Sequence, residues 1–580
     1  MRRRRRWDRI SWWYSLILIV PLLGFTGLVA YQQFADARGY GGQVVDAYTG
    51  EPVADARILG GPQEIRTDAE GRFRVPREVT QIQVQKDGYD SQSVTLSGEG
   101  EIRITLRPNV VHGVVRNVAD GQPIAGAAVE ARAPDGTPLV ATTTGADGTF
   151  VLRDVPVGAL LAVTADDYRD ATLAIGRQTA FEIALRYDVI TGTITDAAGQ
   201  PLAGARVVAG SAEATTGADG SFRLTGGPTK GTVVVKAPGY RAATVPLDQR
   251  MRVDARLEPF KAKAIYLTAD VAADPQRFQE MIALVERTEL NAMVIDLKDS
   301  TGSVYYDTRV RLAHDIGAVN PILDPKAVVA ALHERGIYAI ARIVVFEDPV
   351  LAEHRPEWAI HVPDGSLWRT WNGLAWVNAH RHEVWEYDTA LTREAAELGF
   401  DEIQLDYIRF PSDGPLDEAE YGVPHNAETR AAAIRDFLAG VRAALAPTPA
   451  YLAVDVFGLT FWELSDGGIG QNLEAIAPVV DYICPMIYPS HFYPGSMGFD
   501  IPNDHPYEVI LWSLENGGER VPEAAPKFRP WLQDFSYGEG IPYGDAEVRA
   551  QIDAAEDFGS SGWMLWNAAS DYHEGALGAP

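Results

Sequence analysis

Apolar and polar positions along the chain fall into three textures. From Ile10 to Ala35 no residue is charged, and the run Leu16-Ile-Leu-Ile-Val-Pro-Leu-Leu-Gly-Phe25 is flanked by Trp12, Trp13 and Tyr14 on one side and Tyr31 on the other. About 20 apolar residues span a bilayer, and aromatic rings suit its two interfaces. Residues 11–34 therefore read as a transmembrane helix. From residue 40 to 259 the pattern changes to short period-two runs such as Ile102-Arg-Ile-Thr-Leu106 and Thr232-Val-Val-Val-Lys236, separated by Gly-containing turns. This predicts antiparallel sheets. Beyond Pro259, apolar strands alternate with amphipathic stretches of helical period, the mark of βα units around a parallel sheet.

The middle texture is repetitive. Gly42-Gln-Val-Val-Asp46, Gly113-Val-Val-Arg-Asn117 and Gly192-Thr-Ile-Thr-Asp196 each open a unit, and Gly-x-Pro follows at Gly50, Gly121 and Gly199. Ala-x-Ala comes next, at 54–56, 125–127 and 203–205. Each unit then carries a hairpin signature: Thr67-Asp-Ala-Glu-Gly-Arg-Phe73, Thr144-Gly-Ala-Asp-Gly-Thr-Phe150 or Thr216-Gly-Ala-Asp-Gly-Ser-Phe222. Asp-Gly and Glu-Gly supply the positive φ of a tight turn, and the Phe begins an inward-facing alternation. Three tandem all-β sandwiches are expected, at 40–108, 109–187 and 188–259. Together the motifs resemble the carboxypeptidase regulatory-like, transthyretin-like sandwich family, which implies spacer or adhesion units without an active site. Asp147 and Asp219 fit turn positions; a calcium loop needs six or more converging oxygens.

The last texture, over 261–575, predicts eight strands: 264–267, 292–297, 338–345, 402–408, 451–456, 481–487, 528–532 and 562–566. Amphipathic runs such as 277–288, 326–335, 383–398, 428–445 and 546–558 lie between them. Eight such units in about 300 residues suggest a (β/α)8 TIM barrel, whose chemistry sits at the carboxyl ends of the strands. Asp296, Asp406, Asp455 and Asp534 each follow an apolar run there. Carboxylates clustered at that depth require cations, hydrogen bonds or a function. Paired carboxylates are what cleavage of a glycosidic bond needs, one donating a proton to the leaving oxygen and one attacking or activating water. Trp368, Trp371, Trp376, Trp462, Tyr488, His491, Phe492, Tyr493, Trp531 and Trp566 fall in the same loops and strand ends, and flat aromatic faces suit pyranose rings.

Composition narrows the partners. The 580 residues, 46% hydrophobic and 22% charged, are too many for one core and describe a multidomain, largely globular chain. Six arginines against one aspartate ahead of Ile10 leave −33 on the remainder of a chain whose total is −28. That acidic bulk would repel a phosphate backbone, so no nucleic acid is expected as a partner. The basic tail, 1–10, marks the cytoplasmic side and places everything after the apolar helix outside the cytoplasm. The expectation is a cell-membrane protein held by an uncleaved signal anchor; a cleaved signal peptide ending near Ala35-Asp36-Ala37 is the alternative. The single cysteine, Cys484, excludes an intrachain disulfide and fits an inert buried thiol. His380-x-His382 begins a helix, where i and i+2 point apart, and Gly467-Gly-Ile-Gly470 lacks the Lys of a phosphate loop, so no metal and no cofactor is expected.

Within the barrel region, Gly399-Phe-Asp-Glu-Ile-Gln-Leu-Asp-Tyr-Ile-Arg-Phe-Pro-Ser-Asp-Gly414, Asp455-Val-Phe-Gly-Leu-Thr460, Gly468-Ile-Gly-Gln471 and Tyr482-Ile-Cys-Pro-Met-Ile-Tyr-Pro-Ser-His491 carry a resemblance. Arg529-Pro-Trp-Leu-Gln-Asp-Phe535, Val294-Ile-Asp-Leu-Lys-Asp299 and Gly562-Trp-Met-Leu-Trp-Asn567 extend it. They resemble the bacterial family labelled "putative glycoside hydrolase", first catalogued as a domain of unknown function, across 261–572. A looser analogy to the α-amylase superfamily implies Asp406 as nucleophile, Asp455 as proton donor and Asp534 as the residue orienting the sugar. Two departures are visible: Gln404 stands where that superfamily has Arg, and strand five ends in Asp where it has Glu. Lys298 and Arg409 are the expected cations beside Asp406. Asp296, Lys298, Arg409, Trp462, Tyr488, His491, Trp531 and Trp566 are expected to bind substrate. The resulting expectation is a membrane-anchored glycoside hydrolase acting on a polysaccharide or cell-envelope glycan. The alternative is a non-catalytic carbohydrate-binding or envelope-scaffold protein.

Overall fold

The computed structural model describes residues 39–97 and 100–580. The expected basic tail and membrane helix, 1–10 and 11–34, lie outside the described residues, among which no helix is long and apolar enough to cross a membrane. The chain divides into two compact units after Asp188.

The first unit holds two β-sandwiches and the second unit opens with a third, all of one design. Each pairs a three-stranded sheet with a four-stranded one. In the first repeat the small sheet places Tyr40–Asp46 between antiparallel Arg72–Val75 and parallel Ile102–Leu106. The second and third repeats reproduce that order. The repeated motifs meet in space. A β-carbon on Gly42 would come within 2.5 Å of the Phe73 ring and 2.6 Å of the Ile102 carbonyl, and Gly113 and Gly192 stand in the same relation to Phe150 and Phe222. Only glycine lets the strand pass so close. The motif threonine closes the Ala-x-Ala turn: Thr67 Oγ1 donates to the Val53 carbonyl and accepts from Ala56 N, as Thr144 and Thr216 do in their own repeats.

The rest of the second unit is a closed barrel of eight parallel strands: β1 (Ala262–Leu267), β2 (Ala292–Lys298), β3 (Tyr338–Val344), β4 (Glu402–Asp406), β5 (Tyr451–Phe457), β6 (Tyr482–Met486), β7 (Trp531–Gln533) and β8 (Gly562–Trp566). The predicted amphipathic runs are helices, at 275–286, 325–333, 382–397, 427–445 and 545–558, and a further helix, Pro506–Arg520, packs against the last of them. Alternate strand residues fill the lumen in layers, as in barrels generally. At its floor the wholly buried Arg529 donates to both oxygens of Glu402 at 2.7 and 2.8 Å.

The third sandwich caps this floor and forms one body with the barrel. Buried Lys236 donates to the carbonyls of Leu445 and Ala450, the Tyr451 hydroxyl donates to the carbonyls of Ala237 and Tyr240, and Gly239 N donates to the Tyr482 hydroxyl. Arg206 pairs with buried Asp481 at 3.0 Å.

Candidate active site

The upper layer of the lumen is built around Arg342, an arginine inside the otherwise apolar β3. Its Nη1 donates to Asp296 Oδ1 at 2.6 Å, while Nε and Nη2 donate to Asp406 Oδ2 at 3.1 and 2.6 Å. The Tyr266 hydroxyl donates to the other oxygen of Asp296. The guanidinium also lies 5.6 Å from the Tyr266 ring centroid and 5.3 Å from that of Trp566. Register explains the convergence: Arg342 pairs with Asp296 on β2 and Gln404 on β4, so these side chains share one layer, and Asp406 follows two residues above Gln404.

Asp406 is fixed from a second side. Tyr407 adopts φ 54°, a left-handed conformation rare for a bulky residue, and its N–H donates to Asp406 Oδ1 at 2.6 Å. Such strain persists only where the surroundings over-determine it. A cavity of about 180 Å3 opens over this layer, lined by Arg342, Asp406, Tyr407, Arg409, Phe457, Met486, Tyr488, Trp531 and Trp566.

Asp455 follows the Leu405–Val454 pair on β5, as Asp406 does on β4, and is wholly buried. Its Oδ1 accepts from Gln404 Nε2 at 2.6 Å and from the Trp531 indole N–H at 2.7 Å, while Oδ2 has no partner. Burial, reinforced by the negative charge of Asp406, pushes its carboxyl well above the ordinary range. Asp406, Tyr488, Trp531, Trp566 and Arg409 thus line one cavity with Arg342, and Asp296 and Asp455 pack behind its wall.

Other expected residues stand apart. Asp534 accepts from His573, through both the ring Nδ1 and the backbone N–H, outside the cavity lining. Trp462 donates to Ser513 Oγ, and His491 stacks on Tyr537 with ring centroids 5.2 Å apart. Lys298 does not pair with Asp406. A bulge between Asp296 and Lys298 turns the lysine out of the lumen, where it binds Asp348 at 2.9 Å and Asp388 at 3.5 Å. Trp368 and Trp376 are buried, whereas Trp371 is exposed.

Sequence reasoning passed over three groups. Arg342 is the cation that Lys298 was expected to be, and its signal was a charge in the middle of an apolar strand. Tyr266 was unremarkable at the end of β1. Glu347 follows β3, three residues beyond the Val344–Asp406 pairing, on a segment held by hydrogen bonds from Val345 N to the Asp406 carbonyl and from Phe346 N to the Tyr407 carbonyl. It is 8% exposed, and burial pushes its carboxyl up to about 7 against the favourable charge of Arg409.

Residues 264–572 match the family described as "Putative glycosyl hydrolase domain". The chain belongs to that family. Residues 110–186 and 189–258 each match the carboxypeptidase regulatory-like domain, and the topology of 40–106 adds a third copy of the same sandwich. Among solved structures, a hypothetical protein from Ruminiclostridium thermocellum ATCC 27405 is 34% identical, covering 32% of this chain and 96% of its own, with a TM-score of 0.30. The glycoside hydrolase domain of PgaB (BpsB) from Bordetella bronchiseptica is 13% identical over 54% of this chain and 95% of that one, with a TM-score of 0.41. A chitinase from Chromobacterium violaceum ATCC 12472 is 12% identical over 54% and 97%, with a TM-score of 0.33. A search of curated proteins found none similar.

Proposed function

We propose that the barrel hydrolyses O-glycosidic bonds in a polysaccharide or cell-envelope glycan, with Asp406 as the carboxylate that meets the anomeric carbon. The observation that carries this reading is Asp406 itself, held by Arg342 and by Tyr407 N–H on the wall of an aromatic-lined cavity at the carboxyl ends of the strands. The guanidinium and the Tyr407 N–H orient the carboxylate, as attack or charge stabilisation requires. Proton donation asks for a second carboxyl that keeps its proton near neutrality. Asp455 is wholly buried with one oxygen held by Trp531 and Gln404, whereas Glu347, also buried but not wholly so, titrates near 7. We assign the donor to Glu347 and to Asp455 the role of a support that anchors Trp531 and Gln404 behind the cavity wall. Asp534, paired to His573, then acts on the sugar only through the shape of its loop.

The chain's N-terminal charge asymmetry and uncharged segment support a signal anchor that leaves the barrel outside the cytoplasm. Asp406→Asn tests the reading. Release of reducing sugar from bacterial and plant glycans should vanish while binding persists; equal behaviour of variant and parent on every glycan would favour a scaffold that binds without turnover.

A further inference from the structure

Four arginines are buried among the described residues, and three are neutralised. Arg342 lies between Asp296 and Asp406, Arg529 forks onto Glu402, and Arg206 binds Asp481 and Glu213. Arg409, 8% exposed on the wall of the cavity, has no carboxylate of the described residues within ion-pair distance. Its guanidinium is held between the rings of Trp376, Tyr407 and Phe457, 4.8 to 4.9 Å from their centroids. Nη1 donates to the Phe410 carbonyl and to Ser412 Oγ, both at 3.2 Å, and these are the hydrogen bonds it makes to described residues. Glu347, Asp406 and Asp413 act on it only at longer range, and burial outweighs them, lowering its proton affinity.

A desolvated cation without a counter-charge is costly in a folded protein. Two buried arginines border the cavity, and the chain tolerates that cost at Arg409, the one without an ion-pair partner among the described residues. Nε and Nη2 have no hydrogen-bond partner among the described residues, and together they form the edge of a guanidinium that matches both oxygens of a carboxylate. The rings around it fix the fork without consuming those donors, and Trp566, partly exposed, adds an aromatic surface in the same cavity.

We propose that Arg409 is the recognition group for a carboxylate borne by the sugar in this cavity, so that the substrate class is an acidic glycan containing a uronic acid or a carboxyalkyl-substituted sugar. The inference rests on the reading of this cavity as a glycan site, although carboxylate recognition needs no turnover. It is tested by tryptophan-fluorescence titration of the full chain in detergent with D-glucuronate, D-galacturonate, glucose, galactose and acetate at fixed ionic strength. The parent should respond to the uronates at concentrations at least ten-fold lower than to the neutral sugars or acetate. Arg409→Lys, which keeps the charge and loses the fork, should lose most of that preference, and Arg409→Met all of it. Equal response to charged and neutral sugars, including none to either, would overturn the proposal. So would preference retained in a folded Arg409→Met protein, or acetate acting as well as the uronates, which would mean an adventitious anion only. Repeating the titration in Asp406→Asn separates the two claims: turnover unchanged in that variant sinks the glycosidase reading, whereas loss of turnover with no uronate preference sinks this one alone.

Discussion

Arg342 places two nitrogens on a single carboxylate oxygen of Asp406, at 2.6 and 3.1 Å, and spends its third on Asp296. One cation therefore balances two nearly buried carboxylates, and the balance depends on the planar fork. Arg342→Lys supplies a point charge that cannot serve both at this geometry. Glycan turnover by the folded variant should fall by about 100- to 1,000-fold, the usual loss when a preorganised charge is removed from a site. Arg342→Met should in addition lower unfolding free energy by about 3 to 5 kcal/mol, because two buried carboxylates lose their partner. Turnover and urea unfolding measured side by side check both. Activity within a few-fold of the parent in Arg342→Lys would remove Arg342 from the reacting layer.

Glu347 makes a pH-dependent claim. A carboxyl titrating at about 7 is mostly protonated below that pH, so a donor role predicts kcat/KM falling as pH rises through 7. Glu347→Gln should abolish that alkaline limb and slow hydrolysis of sugars with poor leaving groups by about 100-fold or more, while dinitrophenyl glycosides, which leave without a proton, are cleaved nearly as before. The stability sign follows from the same shift. The folded protein holds this proton more tightly than the unfolded chain, so Glu347 favours folding below pH 4.5 and that contribution is lost as pH rises toward 7. An alkaline limb that survives in Glu347→Gln and disappears in Asp455→Asn would return the donor role to Asp455.

The layout of the barrel was legible because each strand is a short apolar run between helical stretches, and the three sandwiches because their turn chemistry repeats. The cation beside Asp406 was harder. Lys298 and Arg409 stand two and three residues from carboxylates in the sequence, and nearness along the chain was the available guide. A bulge after Asp296 turns Lys298 outward, and the φ of 54° at Tyr407 alters the path of the chain ahead of Arg409. Arg342 reaches Asp406 through strand pairing across 64 residues, a relation that only the register specifies. Gln404 pairs with Arg342 in register, so the guanidinium stands on the strand beside that of Asp406. The attachment of the third sandwich to the barrel floor was equally hidden, since Lys236, Tyr451 and Tyr482 look like ordinary strand residues.

That attachment has its own titration. Asp481 is buried at the floor of the barrel; burial alone would raise its carboxyl, but Lys236 and Arg206 from the third sandwich hold it below the ordinary value of 3.8. A carboxylate whose proton affinity drops on folding stabilises the folded form above its unfolded value, and this is lost as pH falls through the folded one. Asp481→Asn leaves Arg206 and Lys236 facing a neutral amide. Breaking a buried pair from one side is expected to cost about 3 to 5 kcal/mol at pH 7. Part of that difference from the parent should disappear in acid, as the parent's own carboxyl takes up its proton. Thermal melts at pH 7 and pH 3, with proteolysis near residue 260 as a probe of the joint, read both effects. A variant that melts like the parent at pH 7, with no new cleavage at the joint, would show that the ion pairs do not hold the third sandwich to the barrel and that apolar packing and the tyrosine hydrogen bonds suffice.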